Sequence, residues 1–131
     1  MCLFCKIITG EIPSAKVYED DETLAILDIA QTTKGHTLVM PKKHYANMLE
    51  MPEEEFKNLM AKAQLLANQI VRNMGANGIN VLINTNETAG QTIPHVHVHL
   101  IPRYDENDGI QISFSENHLD LAEIASQINK N

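Results

Sequence analysis

The sequence predicts one α+β domain, an antiparallel five-stranded sheet with one long central helix and a short C-terminal helix. Three observations carry this prediction. Short β-rich segments alternate with tight polar turns; one stretch after Pro52 repeats apolar residues at three- and four-residue intervals; and no repeat, low-complexity tract or linker interrupts the order. At 131 residues, 44% of them hydrophobic, the chain has the length of one domain and apolar material for one core, so residues 1–131 are read as a single unit.

The elements follow in order. Ala15 to Glu19 and Thr23 to Asp28 flank the acidic turn Asp20-Asp21-Glu22 and predict a hairpin. His36 to Met40 reads as a third strand, stopped by Pro41 because proline donates nothing to a ladder. The long helix starts near Pro52, with Glu53, Glu54 and Glu55 where the positive end of the helix dipole favours them. Phe56, Leu59, Met60, Ala63, Leu66, Ala67, Ile70, Val71 and Met74 then form one apolar stripe, and Gly75 supplies the stop. A strand at Ile79 to Asn84, a loop at Asn86 to Thr92, a strand at His95 to Ile101 and a helix around Leu119 to Ile128 complete the chain.

Composition excludes several classes of function. Ten Lys and Arg against seventeen Asp and Glu leave a formal charge of −7, which argues against a nucleic-acid polymer as partner, since phosphate backbones bind clustered positive charge. A small phosphorylated ligand stays open, because a closed site can focus positive potential from a few side chains and backbone amides. The apolar runs, such as Thr37 to Met40 and Asn80 to Ile83, are far short of the roughly 18 residues of a membrane span. With no basic-then-apolar leader at the start, the expectation is a soluble, cytoplasmic protein with no membrane partner.

Cysteine and histidine are distributed unevenly. The two cysteines, Cys2 and Cys5, sit three apart, and three of the six histidines fall in His95-Val96-His97-Val98-His99. The cysteines read as metal ligands, a redox pair or two unrelated thiols. In an extended strand His95, His97 and His99 share one face at intervals of about 7 Å, with Val96, Val98 and Leu100 on the other. Such a row suits metal ligation, phosphate binding or nucleophilic and acid–base catalysis better than a plain solvated surface, for which threonine or lysine would serve.

The stretch Gln91-Thr92-Ile93-Pro94-His95-Val96-His97-Val98-His99-Leu100-Ile101 resembles the signature of the histidine triad (HIT) superfamily of nucleotide hydrolases and transferases. Phe4 to Ile8, Glu11-Ile12-Pro13, Tyr18 to Asp21, Leu27-Asp28-Ile29 and Gly35 to His44 also match its small single-domain branch, in order; only the tail, residues 115–131, diverges. The resemblance implies a HIT-like fold and hydrolysis or transfer at the α-phosphate of purine nucleoside monophosphate conjugates, phosphoramidates or dinucleoside polyphosphates among them. His97 would be the nucleophile, forming a covalent nucleotidyl-imidazole. His99 would hold a phosphate oxygen or protonate the leaving group, and His36 would orient or exchange a proton with the central histidine. Asn84, Gly90, Gln91 and Thr92 would contact phosphate, Thr92 standing where serine is usual. Asp28 would accept the ribose hydroxyls, and Phe4, Ile7, Ile12 and Ile26, otherwise core residues, would form a slot for the base.

The resemblance also bears on the cysteines. Two thiolates are half of a tetrahedral site, and bacterial members of the family with such a pair imply His44 and His95 as the other ligands. Cys2, Cys5, His44 and His95 would then hold a structural zinc and make residues 1–9 a metal-binding segment, leaving His97 and His99 for substrate. A homodimer, paired through the long helix and one sheet edge, is implied in the same way. The contrasting possibility is a non-catalytic nucleotide- or metal-binding module acting through a protein partner. Arg103 and His118 are expected on the solvated surface.

Overall fold

A computed structural model describes residues 2–131; Met1, the first residue of the expected 1–9 segment, lies outside the described residues. The order is α1 (Leu3–Ile8), β1 (Lys16–Glu19), β2 (Thr23–Leu27), β3 (Thr37–Pro41), α2 (Glu53–Met74), β4 (Gly78–Leu82), β5 (Val98–Arg103) and α3 (Leu121–Ile128). The strands form one sheet in the order β1-β2-β3-β5-β4, antiparallel at every step. Among the described residues no helix is long and apolar enough to cross a membrane.

Strand alternation divides the core between the two faces of the sheet. Ala25, Val39, Val98 and Leu100 point to one face and pack against Leu59, Ala63, Leu66 and Ile70, the buried stripe of α2. That helix ends as its sequence predicts, at Gly75 with φ +70°, a left-handed conformation glycine adopts freely, whose N–H caps the Val71 carbonyl. Leu24, Ile26, Leu38 and Met40 point to the opposite face, where Phe4 and Ile7 of α1 cover them. Because His99 pairs with Leu38 in the β3–β5 register, it lies on the α1 face. The candidate site is therefore on the side away from α2.

Several boundaries differ from the sequence prediction for local reasons. Helix α1 was not expected: it has only six residues, and its N-cap is the thiol of Cys2, which accepts from the Cys5 N–H at 3.2 Å, where Ser, Thr, Asp or Asn is the usual signal. The strand expected over His95 to Ile101 starts only at Val98, because the His95 N–H goes to the Ile93 carbonyl and the Val96 N–H to the Tyr45 carbonyl, off the ladder. The strand expected over Ile79 to Asn84 is Gly78–Leu82, and the terminal helix begins after Asp120, whose carboxylate caps the Glu123 N–H. Arg103 is not free in solvent: its guanidinium donates to Asp108 Oδ1 at 2.5 Å, to Asn80 Oδ1 at 2.8 Å and to the Ile110 carbonyl at 3.2 Å. His118 is exposed, as is the whole chain beyond Ile110 apart from a half-buried Ile124.

Candidate active site and metal-ligating cluster

Hydrogen bonds to the histidine rings fix where their protons are. His97 Nδ1 lies 2.8 Å from the carbonyl oxygen of His95, which can only accept, so Nδ1 carries the proton and Nε2 presents a lone pair. His36 Nδ1 accepts from the Thr32 N–H at 3.3 Å, which puts its proton on Nε2, and this N–H donates to His99 Nδ1 at 2.9 Å. The remaining His99 nitrogen, Nε2, is then a donor. His36 was expected to serve the central histidine; it pairs instead with His99, and its Nε2 is 3.7 Å from Asp28 Oδ2.

A cavity of about 470 Å³ opens onto these groups. Ten of the expected substrate-side or catalytic residues line it: Phe4, Ile7, Ile12, Ile26, Asp28, Asn84, Gly90, Thr92, His97 and His99. Phe4, Ile7 and Ile26 are also buried core, so the slot and the core share one set of side chains. The ring of Phe4 meets that of His97 edge-on at 4.9 Å between centroids, which holds the imidazole from the side. His36 is buried behind His99 and does not line the cavity.

The loop before His97 is braced from within. Gln91 was expected at the substrate but is absent from the cavity wall; its Nε2 donates to the carbonyls of Ala46 (2.6 Å) and Ile93 (3.1 Å), and its Oε1 accepts from the Asn86 N–H (2.8 Å). Gly90 sits at φ +98°, a left-handed conformation that glycine adopts without strain, and lies beside the Asn84 amide at the cavity. Sequence reasoning also missed Leu3, Pro13, Ser14, Leu27, Ile29, Leu38 and Ile93 in the wall. All but Ser14 are apolar, and apolar character alone does not separate wall from core.

His95 leaves the row. Its ring turns away from the cavity, and its Nδ1 joins Cys2 Sγ, Cys5 Sγ and His44 Nδ1 in a four-membered group. The six ligand–ligand distances run from 3.0 Å (Cys2 to Cys5) through 3.1 Å (His44 to His95) to 3.6 Å (Cys5 to His95). A tetrahedral ion with metal–sulfur bonds of about 2.3 Å and metal–nitrogen bonds of about 2.0–2.1 Å would separate its ligands by roughly 3.3–3.8 Å. The donor set fits a metal ion with only a slight expansion. The His95 Nε2–H donates to the Pro41 carbonyl at 2.8 Å, which fixes the tautomer with Nδ1 free to ligate. Burial and the neighbouring Cys2 raise the Cys5 thiol above its ordinary pKa, a tendency that a bound cation would reverse.

Burial lowers the pKa of His36, His95, His97 and His99, so all four are neutral near pH 7. His99 is pushed furthest, from 6.5 to about 4, by burial and then by its neighbours His97 and His36, with the Asp28 carboxylate opposing. The unfolded chain takes up a proton at this position below about 6.5 and the folded one only near 4, so stability falls as pH drops through that window. An imidazole NMR titration is expected to show His99 neutral down to about pH 4, while the urea midpoint declines from pH 6.5 downward. A His99 that titrates at its ordinary value would contradict the burial argument.

Comparison with known proteins places these features in a family. The HIT domain model matches residues 9–106. An uncharacterised HIT-like protein of Methanocaldococcus jannaschii is 47% identical, with 98% of each chain covered. A protein of Schizosaccharomyces pombe named an adenosine 5′-monophosphoramidase is 40% identical over 86% of this chain and 82% of its own length. An Arabidopsis thaliana protein named an adenylylsulfatase is 43% identical over 97% of this chain and 65% of its own. Among solved structures, a HIT family protein of Bacillus subtilis superposes with a TM-score of 0.91 at 45% identity, covering 97% of this chain and 94% of that one. A zinc-bound histidine triad family protein of Mycobacterium smegmatis gives 0.79 at 37% identity, covering 83% and 79%.

Proposed function

The chain belongs to the HIT domain family, and from that premise we propose that it hydrolyses purine nucleoside monophosphate conjugates at the α-phosphate, through a covalent intermediate on His97. The observation that carries this reading is the His97 tautomer: with Nδ1–H on the His95 carbonyl, the Nε2 lone pair is available in the cavity.

Attack by Nε2 on the α-phosphorus breaks the bond to the leaving group, which departs with a proton drawn from solvent, and makes a nucleotidyl-imidazolium. The retained Nδ1–H spreads its charge onto the His95 carbonyl. Water then adds at phosphorus, returns a proton to solvent and expels the imidazole, releasing the nucleoside monophosphate and regenerating neutral His97. His99, through its Nε2–H, and the amide and hydroxyl of Asn84 and Thr92 stabilise the phosphate oxygens as negative charge develops. Asp28, whose Oδ1 is partly engaged by the Ala30 N–H at 2.9 Å, keeps Oδ2 for the ribose hydroxyls. The apolar wall of Phe4, Ile7, Ile12 and Ile26 takes the base.

Zinc is the ion that best suits the S₂N₂ set of Cys2, Cys5, His44 and His95, and with all four positions taken by protein its role is structural. When bound it supplies a fixed link between α1 and the segment that ends in His97. A homodimer is part of the same reading: β4 leaves one sheet edge unpaired, Val81 and Leu82 on it are exposed, and so is Leu65 of α2.

Turnover of adenosine 5′-phosphoramidate by the metal-loaded protein tests the proposal. The expected result is release of AMP and ammonia. Binding of AMP with no turnover of the phosphoramidate, of adenylyl sulfate or of a dinucleoside polyphosphate would support the non-catalytic binding module instead.

A further inference from the structure

One loop, residues 28–36 between β2 and β3, delivers both Asp28 and His36. Its base is closed by the Asp28 N–H on the His36 carbonyl (3.0 Å), and its outer half is tied to the sheet by Thr33 Oγ1 on the Pro102 carbonyl (2.6 Å) and by the Tyr104 hydroxyl on the Lys34 carbonyl. Between these lies Gln31. Though exposed, it commits its whole amide to the loop: Nε2 donates to the carbonyls of Asp28 (2.5 Å) and His36 (2.8 Å), and Oε1 accepts from the N–H groups of Gly35 (2.8 Å) and His36 (3.1 Å). Three of the four contacts fall on Asp28, which lines the cavity, and His36, which backs His99.

We propose that Gln31 is a positioning residue, a strut that sets Asp28 against His36 and acts on nucleotide through both. An exposed glutamine gives up water contacts and rotamer freedom to make this arrangement, and the outer ties to Pro102 and Tyr104 already hold the loop onto the sheet without it. What Gln31 adds to the single Asp28 N–H bond on the His36 carbonyl is a bridge from the Asp28 carbonyl to both backbone groups of His36. His36, its tautomer set by the Thr32 N–H on Nδ1, gives its Nε2–H to His99, so a shift of the His36 backbone carries to the hydrogen bond that places the His99 proton. The inference rests on the reading that Asp28 takes the ribose hydroxyls.

The test compares AMP with 2′,3′-dideoxyAMP by calorimetry, on metal-loaded wild type and Gln31→Ala. Binding is the readout, so the outcome does not depend on the protein being an enzyme. Wild type is expected to favour AMP by about tenfold or more, as sites built to hydrogen-bond a hydroxyl do. In Gln31→Ala that preference should shrink toward unity through weaker AMP binding, with dideoxyAMP affinity and melting temperature little changed. Gln31→Glu, which keeps the acceptor contacts but cannot donate to the Asp28 and His36 carbonyls, should reproduce the loss. In both variants the imidazole ¹⁵N shifts of His99 should move toward a mixture of tautomers. A preference equal to that of wild type, or an equal loss for both ligands, overturns the proposal while leaving Asp28 as the ribose acceptor. A wild type without any preference overturns the Asp28 reading, and the strut with it.

Discussion

Replacement of His97 by alanine is expected to lower kcat/KM for adenosine 5′-phosphoramidate by roughly 10⁴-fold or more, the scale on which loss of a covalent nucleophile acts. AMP affinity should change little, because the groups assigned to base, ribose and phosphate remain in the cavity wall. The distinction matters: a binding module would show the opposite pattern, altered affinity and no turnover to lose. Since His97 is 8% exposed and packs edge-on against Phe4, the alanine leaves a hole, and His97→Asn is the companion that preserves more of the volume. The asparagine variant should melt near the wild-type temperature and the alanine variant somewhat below it, and both should be inactive, as checked by steady-state kinetics beside calorimetry with AMP. Substantial activity in either would remove the nucleophile from the account.

Loss of the metal is expected to be the largest blow to stability. A structural zinc of this kind contributes on the order of 10 kcal/mol of apparent folding free energy near neutral pH. The part of the fold most dependent on it is α1: six residues do not hold a helix alone, and three of its residues, Leu3, Phe4 and Ile7, wall the cavity. Chelation should therefore lower the melting temperature and weaken AMP binding together, and added Zn²⁺ should restore both. Cys5→Ala should purify with little metal and behave like the chelated protein. Elemental analysis with parallel thermal melts checks this; a protein that carries no metal as purified and melts identically with and without chelator would show the four ligands to be free.

Much of the frame was legible because it is repetitive. Leu59, Ala63, Leu66 and Ile70 mark the buried face of α2 through helical spacing, and the short apolar runs of β2 and β3, bounded by polar turns, mark strands. What could not be read are features created by contacts distant in sequence. The grouping of His95 with Cys2, Cys5 and His44 came with the family resemblance and not from the spacing of the three histidines, and that spacing also hid that the ladder begins only after His95. The short helix α1 escaped because a thiol caps it. Gln91 and Gln31 look like ordinary loop glutamines; their roles come from carbonyls and amides that only the folded loops present. The resemblance to a family supplied the site residues and their division between a metal set and a substrate side; the structure added which of them wall the cavity and that His36 sits buried behind His99.

The most direct test of the central claim is to catch the intermediate. Metal-loaded protein mixed with adenosine 5′-phosphoramidate and quenched in alkali, where a phosphorus–nitrogen bond to imidazole survives, is examined by intact-mass and peptide mass spectrometry. The account predicts one adenylyl group per chain, carried on the peptide containing His97, and none on His97→Ala. Steady release of AMP from the phosphoramidate with no adduct at His97, even at times before the first turnover is complete, would contradict it and point to direct attack by water.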